Sequence, residues 1–433
     1  MPRWPVRLIC LLALVAAACG SGPTATAPAV TVTSAAGTPA VTTPAQTAAP
    51  GTAEPTSSAP GRLRLWLPPE LTPDVNTPGG RVLAAQFQAF EQAHPGSVVE
   101  IRTKAATGVG GLLNALVTAA NVAPSILPDI VALRRDDLAL AAEAGLVEPL
   151  EGFVPAATLA DLYPFAQGLG RVNGVWVGLP FAADARVLAY ATTFYPTPPT
   201  LWSDVDVGVY VLPGGEPTAL TLLSGYLARG GTLADDAGAP HLDTSVLAAT
   251  LQEYQGLESI GRLPLTTLDY VDAAGTWQAL RQRQAALVAT SAQQFLGEQG
   301  ASGGVAMTLL PTAGQPSLAL ADGWSWALVN LGSDQHTLAA ELLNDLLAPA
   351  QHAVWTEAAG VLPTRAATLA AWKNAHLAEQ AGVVLARAQL QPAGAVLGVV
   401  GPALRQALAE VVSGRATPFA AATVAAEAVA GGG

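Results

Sequence analysis

The side chains in this sequence best equipped for chemistry are aromatic rings and guanidinium groups placed at the ends of apolar runs. Trp66 stands among Leu63, Leu65 and Leu67; Trp324 and Trp326 flank Ser325; Arg134 and Arg135 follow the run Ile130 to Leu133. An aromatic face packs against C–H groups, and a guanidinium donates a planar fork to hydroxyls or to a carboxylate. Such a set holds a small molecule without transforming it. Trp66, Arg134, Trp324 and Trp326 are therefore candidate ligand-binding residues. Each also has a plainer role. Trp66, alternating with Leu65 and Leu67, fits a core, the two later tryptophans fit a packed aromatic pair, and Arg134 with Arg135 fits a solvated helix start.

Catalytic readings of the same residues are weaker. Gly323, Trp324, Ser325, Trp326 and Ala327 come within one residue of a Gly-x-Ser-x-Gly nucleophile elbow, with Asp345 and His352 following in hydrolase order. An elbow requires a helix straight after the serine. Ala327, Leu328 and Val329 instead continue a strand pattern, so a serine hydrolase is the lesser alternative. The sequence holds five His, scattered, and two Cys, Cys10 and Cys19, both near the start. No metal site, body disulfide or cysteine nucleophile is expected, and no cofactor. Asp235, Asp236, Gly238 and Asp243 fail the spacing of a calcium loop and read as a turn. Gly108, Gly110 and Gly111 lack the Gly-Lys-Ser/Thr of a phosphate loop and read as a helix start.

The elements that must position these residues alternate in type. A strand over 62 to 67 is followed by helical spacing through Val82, Leu83, Phe87 and Phe90, then a strand over 98 to 102. A helix at 111 to 120, a strand at 130 to 133 and a helix at 136 to 144 come next. This order predicts an α/β fold with a doubly wound parallel sheet. A strand is expected near 175 to 179, and helices at 219 to 229, 245 to 257 and 276 to 283. Strands return at 285 to 289 and 317 to 329. Helices at 337 to 347, at 404 to 412 and from Pro418 end the chain.

Length and composition set the frame. With 433 residues, 51% hydrophobic and 12% charged, the chain can build more than one core. A net charge of −12 and no Lys/Arg cluster exclude a nucleic-acid surface. Beyond the start no apolar run is long and uninterrupted enough to span a membrane, so the body is expected to be soluble. Arg3 and Arg7 precede the apolar stretch Leu8 to Ala18, the charge order of an export signal. Ala16, Ala17 and Ala18 then lead to Cys19, an arrangement that resembles a bacterial lipoprotein signal. Residues 1–18 are expected to be the signal peptide. Residues 19–60, rich in Ala, Thr and Pro, form a disordered linker behind a lipidated Cys19.

The order of segments resembles the extracellular solute-binding proteins of carbohydrate ABC transporters, the maltose-binding-protein-like family. Phe87, Phe90, Glu91, His94, Pro95 and Gly96 match its first-helix ending, and Leu127 to Val131 its Pro-Asp-Val strand. Gly145, Leu146 and Leu150 match the next helix end. Tyr163, Pro164, Gly174 and Gly178 to Phe181 match the segment crossing between lobes, and Pro198, Pro199, Trp202 and Asp204 the stretch after it. Gly323, Trp326, Ala339 to Leu347, Trp355, Gly360, Leu362, Pro363 and Arg365 match the late helix and its Gly-x-Leu-Pro-x-Arg turn. Ala191, Thr192 and Thr193 depart from the family's Asn-Lys-Asp.

The resemblance implies a two-lobed, type II periplasmic-binding-protein-like clam-shell with a hinge and an interlobe cleft. The expected lobes are 61–185 with 290–335, and 186–289 with 336–430. It adds Asp184 and Arg186 at the lobe crossing, either binding or pairing with each other, and Tyr190 and the Thr290–Ser291 stretch at family contact regions. The expected ligand set is Trp66, Arg134, Asp184, Tyr190, Ser291, Trp324 and Trp326. It implies a monomer, lipid-anchored on the extracytoplasmic side, that passes a sugar-like solute to permease subunits. Polyols, amino-acid derivatives and glycerol phosphate remain open as ligands. A two-lobed surface receptor feeding a sensor is the alternative.

Overall fold

The computed structural model describes residues 61–298, 303–329 and 335–431. Strands β1 (Arg62–Leu67), β2 (Val98–Thr103) and β3 (Ile130–Arg134) lie close to where the sequence places them. β1 pairs in parallel with both neighbours, Trp66 standing opposite Arg102 and Val131. The pairing is parallel because helices Pro78–Ala93 and Leu112–Val122 return the chain across the sheet. The first of these starts at Pro78, with the Thr77 hydroxyl accepting from Gly80 N–H at 3.0 Å. It buries Leu83, Phe87 and Phe90, the spacing of one helical face.

The rest of the chain extends the sheet with antiparallel strands. A small hairpin, β4 (Arg171–Val172) with β5 (Val175–Trp176), turns at Asn173 and Gly174, both at positive φ. It delivers the chain into the long β6 (Leu179–Ala191). After these come β7 (Tyr210–Val211), β8 (Leu287–Ser291), β9 (Val305–Thr308), β10 (Ala319–Leu328) and β11 (Ala388–Leu390). The sheet order is β2-β1-β3-β10-β6-β8-β7, with β11 on β10 and β9 on β6. The expected parallel sheet is thus confined mostly to β1, β2 and β3. β10 runs antiparallel to both β3 and β6.

Two apolar clusters form on this frame. The first gathers Leu65, Trp66, Phe87, Phe181, Trp326, Leu342, Trp355 and Val384, and the second Tyr190, Tyr210, Tyr226, Tyr254, Leu404 and Leu408. β6 and β10 pass through both, with Phe181 and Trp326 in the first and Tyr190 and Leu320 in the second. The clusters correct one expected boundary. Residues 336–430 do not act as one block, because Leu342, Leu343, Leu377 and Val384 bury into the first cluster and only Leu397 onward into the second.

Helix Gly394–Val412 is the one described helix long and apolar enough to cross a membrane. It is instead a core helix here, burying Leu397, Val400, Leu404, Leu408 and Val411 against the second cluster. Pro402 lies inside it, so the expected start at residue 404 falls ten residues late.

Candidate functional site

A hollow of about 250 Å³ opens where β3, β10, β6 and β8 meet. Strand register assembles it. Trp324 on β10 stands opposite Arg134 on β3, Asp322 on β10 opposite Asp184 on β6, and Arg186 on β6 opposite Ser291 on β8. Because directly opposed residues share a sheet face, this register carries six polar or aromatic side chains into one row. All six line the hollow. Glu70, Gln293 and Gln391 line it as well.

Pairing inside the row follows charge. Asp184 and Asp322 face each other, an arrangement that costs energy unless it is compensated. Arg134 Nη1 donates to Asp322 Oδ2 at 2.9 Å, and its guanidinium lies 4.7 Å from the Trp324 ring centre. Asp184 Oδ1 accepts from the backbone N–H groups of Ala185 and Gln293, both at 2.8 Å. Ser291 caps the short helix Ala292–Gly297, accepting from Gln294 N–H at 3.2 Å, and its hydroxyl also bonds to Asp184. Burial raises the Asp184 carboxyl above its usual range, opposed by the bonds from Gln293, Ala185 and Ser291 and by the Arg186 charge.

Arg186 does not pair with Asp184. It forms a buried ion pair with Glu216, a loop residue thirty positions on. Its Nε and Nη1 have no protein partner. Sequence reasoning missed Glu216, whose Pro-Gly-Gly-Glu-Pro loop reads only as a turn. Asp322 was missed as well, although a lone carboxylate inside an apolar strand is a legible signal.

Three expected ligand residues do not reach the hollow. Trp66 is 2% exposed, packed in the first cluster with Lys104 Nζ 4.5 Å from its ring centre. Trp326 stacks on Phe181 with ring centres 4.2 Å apart, one step deeper on the strand face that carries Trp324. Tyr190 sits in the second cluster, opposite Leu287 and Ala306. Each lies where strands pair on both sides, so strand-end proximity placed them in the core. Thr290, also expected nearby, is buried and bonds to Ala273 O.

Other sequence motifs resolve as structure. Ser325 Oγ points to the opposite face and donates to Leu169 O at 3.0 Å. Both ring nitrogens of His352 are engaged, at 2.7 Å from Phe181 O and 3.1 Å from Thr368 Oγ1, leaving none for Ser325 or Asp345. Asp235 closes a turn by accepting from Ala237 and Ala239 N–H, and Asp243 caps helix Thr244–Ser259. Gly111 is the N-cap of helix Leu112–Val122. Among the described residues, no three His, Cys, Asp or Glu side chains gather closely enough to hold a metal.

The family model for bacterial extracellular solute-binding proteins matches residues 85–379. The chain belongs to that family. Solved structures agree in fold. The sugar-binding protein MalE from Xanthomonas citri superposes with a TM-score of 0.69 at 21% identity, covering 86% of this chain and 96% of the other. The cyclic α-maltosyl-1,6-maltose binding protein from Arthrobacter globiformis gives 0.68 at 19%, with 86% and 98% covered. The maltose/maltodextrin-binding domain MalE from Bdellovibrio bacteriovorus, bound to maltotriose, gives 0.62 at 20%, with 85% and 98% covered.

This solute-binding protein is thus a two-lobed, exported member of a family that captures small molecules without converting them. The hydrolase alternative falls with that membership and with the geometry of Ser325. The export signal, Cys19 and the linker lie outside the described residues.

Proposed function

We propose that this solute-binding protein captures a sugar or a closely related small solute outside the cytoplasm and delivers it to the permease subunits of an ABC importer. One observation carries the reading. The row Trp324, Arg134, Asp322, Asp184, Arg186 and Ser291 lines a single hollow on β6 and β10, the strands that run through both apolar clusters. A hexose presents C–H faces and a ring of hydroxyls. The stacked Trp324–Arg134 surface suits the faces, and the carboxylates and Ser291 suit the hydroxyls. The Xanthomonas, Arthrobacter and Bdellovibrio proteins, named for sugars, share the fold.

In this reading the first lobe comprises β1, β2, β3 and the helices from 336 to 385, and the second the segments around Tyr190 to Leu263 with the helices from 394 on. The hinge lies where β6, β10 and the chain near β11 pass between them, and closure brings the second lobe onto the solute. Cys19 carries the lipid that holds a monomeric protein at the membrane, with residues 20–60 as tether.

The test is a thermal-shift screen of the chain beginning after Cys19, against mono- and oligosaccharides, polyols and amino acids. A ligand that binds only the folded state raises the melting temperature by mass action, worth about 2.7 kcal/mol at 100 times its dissociation constant. A shift with one sugar class, lost in Trp324→Ala, supports the reading. A shift with amino acids alone overturns it.

A further inference from the structure

We propose that Asp184 is a charge filter, so that the cleft accepts neutral or amine-bearing hydroxylated solutes and turns away uronates and sugar phosphates. The inference rests on the reading of the hollow as a sugar site and adds the ligand's charge to it.

The hollow is lined by three carboxylates, Glu70, Asp184 and Asp322, and two guanidiniums, Arg134 and Arg186. Arg134 is held by Asp322, and Arg186 by Glu216 behind the wall. Arg135, the next guanidinium along, is held by Asp136 and by the carbonyl of Gln391. No cation forms an ion pair with Asp184 or Glu70 among the described residues. Asp184 is also the fixed one of these two. Backbone N–H groups of Ala185 and Gln293 hold its Oδ1, and the Ser291 hydroxyl, which lines the same hollow, bonds to it as well.

Each guanidinium charge lining this site is thus already matched by a carboxylate, and an anionic solute finds none in excess. The Nε and Nη1 of Arg186 still offer hydrogen bonds, but an anion that takes them shares that guanidinium with Glu216 and meets the unmatched Asp184, with no positive charge left over to balance it. A hydroxyl donates to Asp184 at no such cost, and an ammonium supplies the charge that the site lacks. The anionic ligands left open by the sequence, glycerol phosphate among them, drew on Arg134 and Arg135, and both are committed.

The experiment is calorimetric titration with matched disaccharides of glucose, glucosamine and glucuronic acid, and the same trio in the galacto series. It uses the wild type and Asp184→Asn, at low and raised salt. Asparagine keeps an acceptor for the Ala185 and Gln293 N–H groups. In the wild type the uronate is expected to bind at least about tenfold more weakly than its neutral counterpart, from one like charge at close range in a partly wet site. The gap is expected to narrow in Asp184→Asn and, in the wild type itself, as salt screens the charges. A uronate bound as tightly as the neutral sugar overturns the filter and leaves the sugar reading standing, as does a gap that neither salt nor the variant changes. Binding by none of the six overturns the sugar reading and takes the filter with it.

Discussion

The guanidinium of Arg134 lies 4.7 Å from the centre of the Trp324 ring while one of its nitrogens donates to Asp322 at 2.9 Å. The indole therefore meets a ligand through, or beside, a planar cation that Asp322 holds in place. Asp322 is a positioning residue in this arrangement. Asp322→Asn removes the charge that anchors Arg134 but leaves the strand pairing intact. It is expected to weaken ligand binding by about tenfold, near the worth of one charge-assisted hydrogen bond. Trp324→Ala is expected to weaken it further. Calorimetry on both variants, with melting curves to show that they fold, checks the order.

The ion pair between Arg186 and Glu216 sits almost out of solvent, with side chains 5% and 13% exposed. Removing one member of such a pair leaves an uncompensated buried charge, a loss of about 3–5 kcal/mol. Glu216→Ala is therefore expected to lower the melting temperature clearly. Glu216→Gln, which keeps a hydrogen-bond acceptor, is expected to cost less. The double change Arg186→Met with Glu216→Leu removes both charges and is expected to recover much of the stability. Chemical denaturation of the three variants measures these differences. Equal losses in all three would locate the cost in packing instead.

The fold was legible where local pattern and tertiary role coincide. β1, β2 and β3 announced themselves because helices separate them and apolar runs fill them. β6 did not, since all but Asp184 and Ala191 of its thirteen residues are buried. A strand covered on both faces shows no alternation, and Asp184 reads as an interruption rather than as the site. The candidate site was half legible. Arg134, Asp184, Ser291 and Trp324 reach the hollow, whereas Trp66, Tyr190 and Trp326 are core. Trp324 and Trp326 share a strand face, and their different fates depend on how far Phe181 and the helix Pro349–Ala359 cover that face. Cross-strand register decides this, and a single sequence does not carry it. Glu216 was invisible for the same reason, its partner being thirty residues away.

His352 supplies a pH dependence. It is 1% exposed, and burial pushes its imidazole down to about 4, with Phe181 O as the accepting neighbour and the Arg365 charge adding to the depression. The unfolded chain takes up the proton near 6.5 and the folded protein only near 4, so the unfolded state binds more protons between those values. This contribution to stability is thus fully present above about 6.5 and is lost as the pH falls toward 4. At about 1.4 kcal/mol per pH unit the loss approaches 3 kcal/mol. His352→Gln, with no titrating group there, is expected to flatten this part of the profile. Denaturant midpoints taken from pH 7 to pH 4 on both proteins supply the comparison, and parallel profiles would remove His352 as the cause.

Gly323 and Ser325 stand on the two sides of Trp324 and separate the demands of the site from those of the fold. A Cβ on Gly323 would lie 2.3 Å from Ala182 O and 2.9 Å from a methyl of Leu169, and the first of these is backbone that cannot swing aside. Gly323→Ala must push β10 away from β6, where Asp322 opposes Asp184. It is expected to destabilise the protein by about 1–3 kcal/mol, the usual cost of overpacking, and to weaken ligand binding because the row of polar groups loses its register. Ser325 faces away and bonds only to Leu169 O at 3.0 Å among the described residues. Ser325→Ala is expected to cost about 1 kcal/mol of stability while leaving affinity where it was. If Ser325→Ala abolished binding and Gly323→Ala spared it, the solute would have to sit on the other face of β10, and the hollow described above would not be its site.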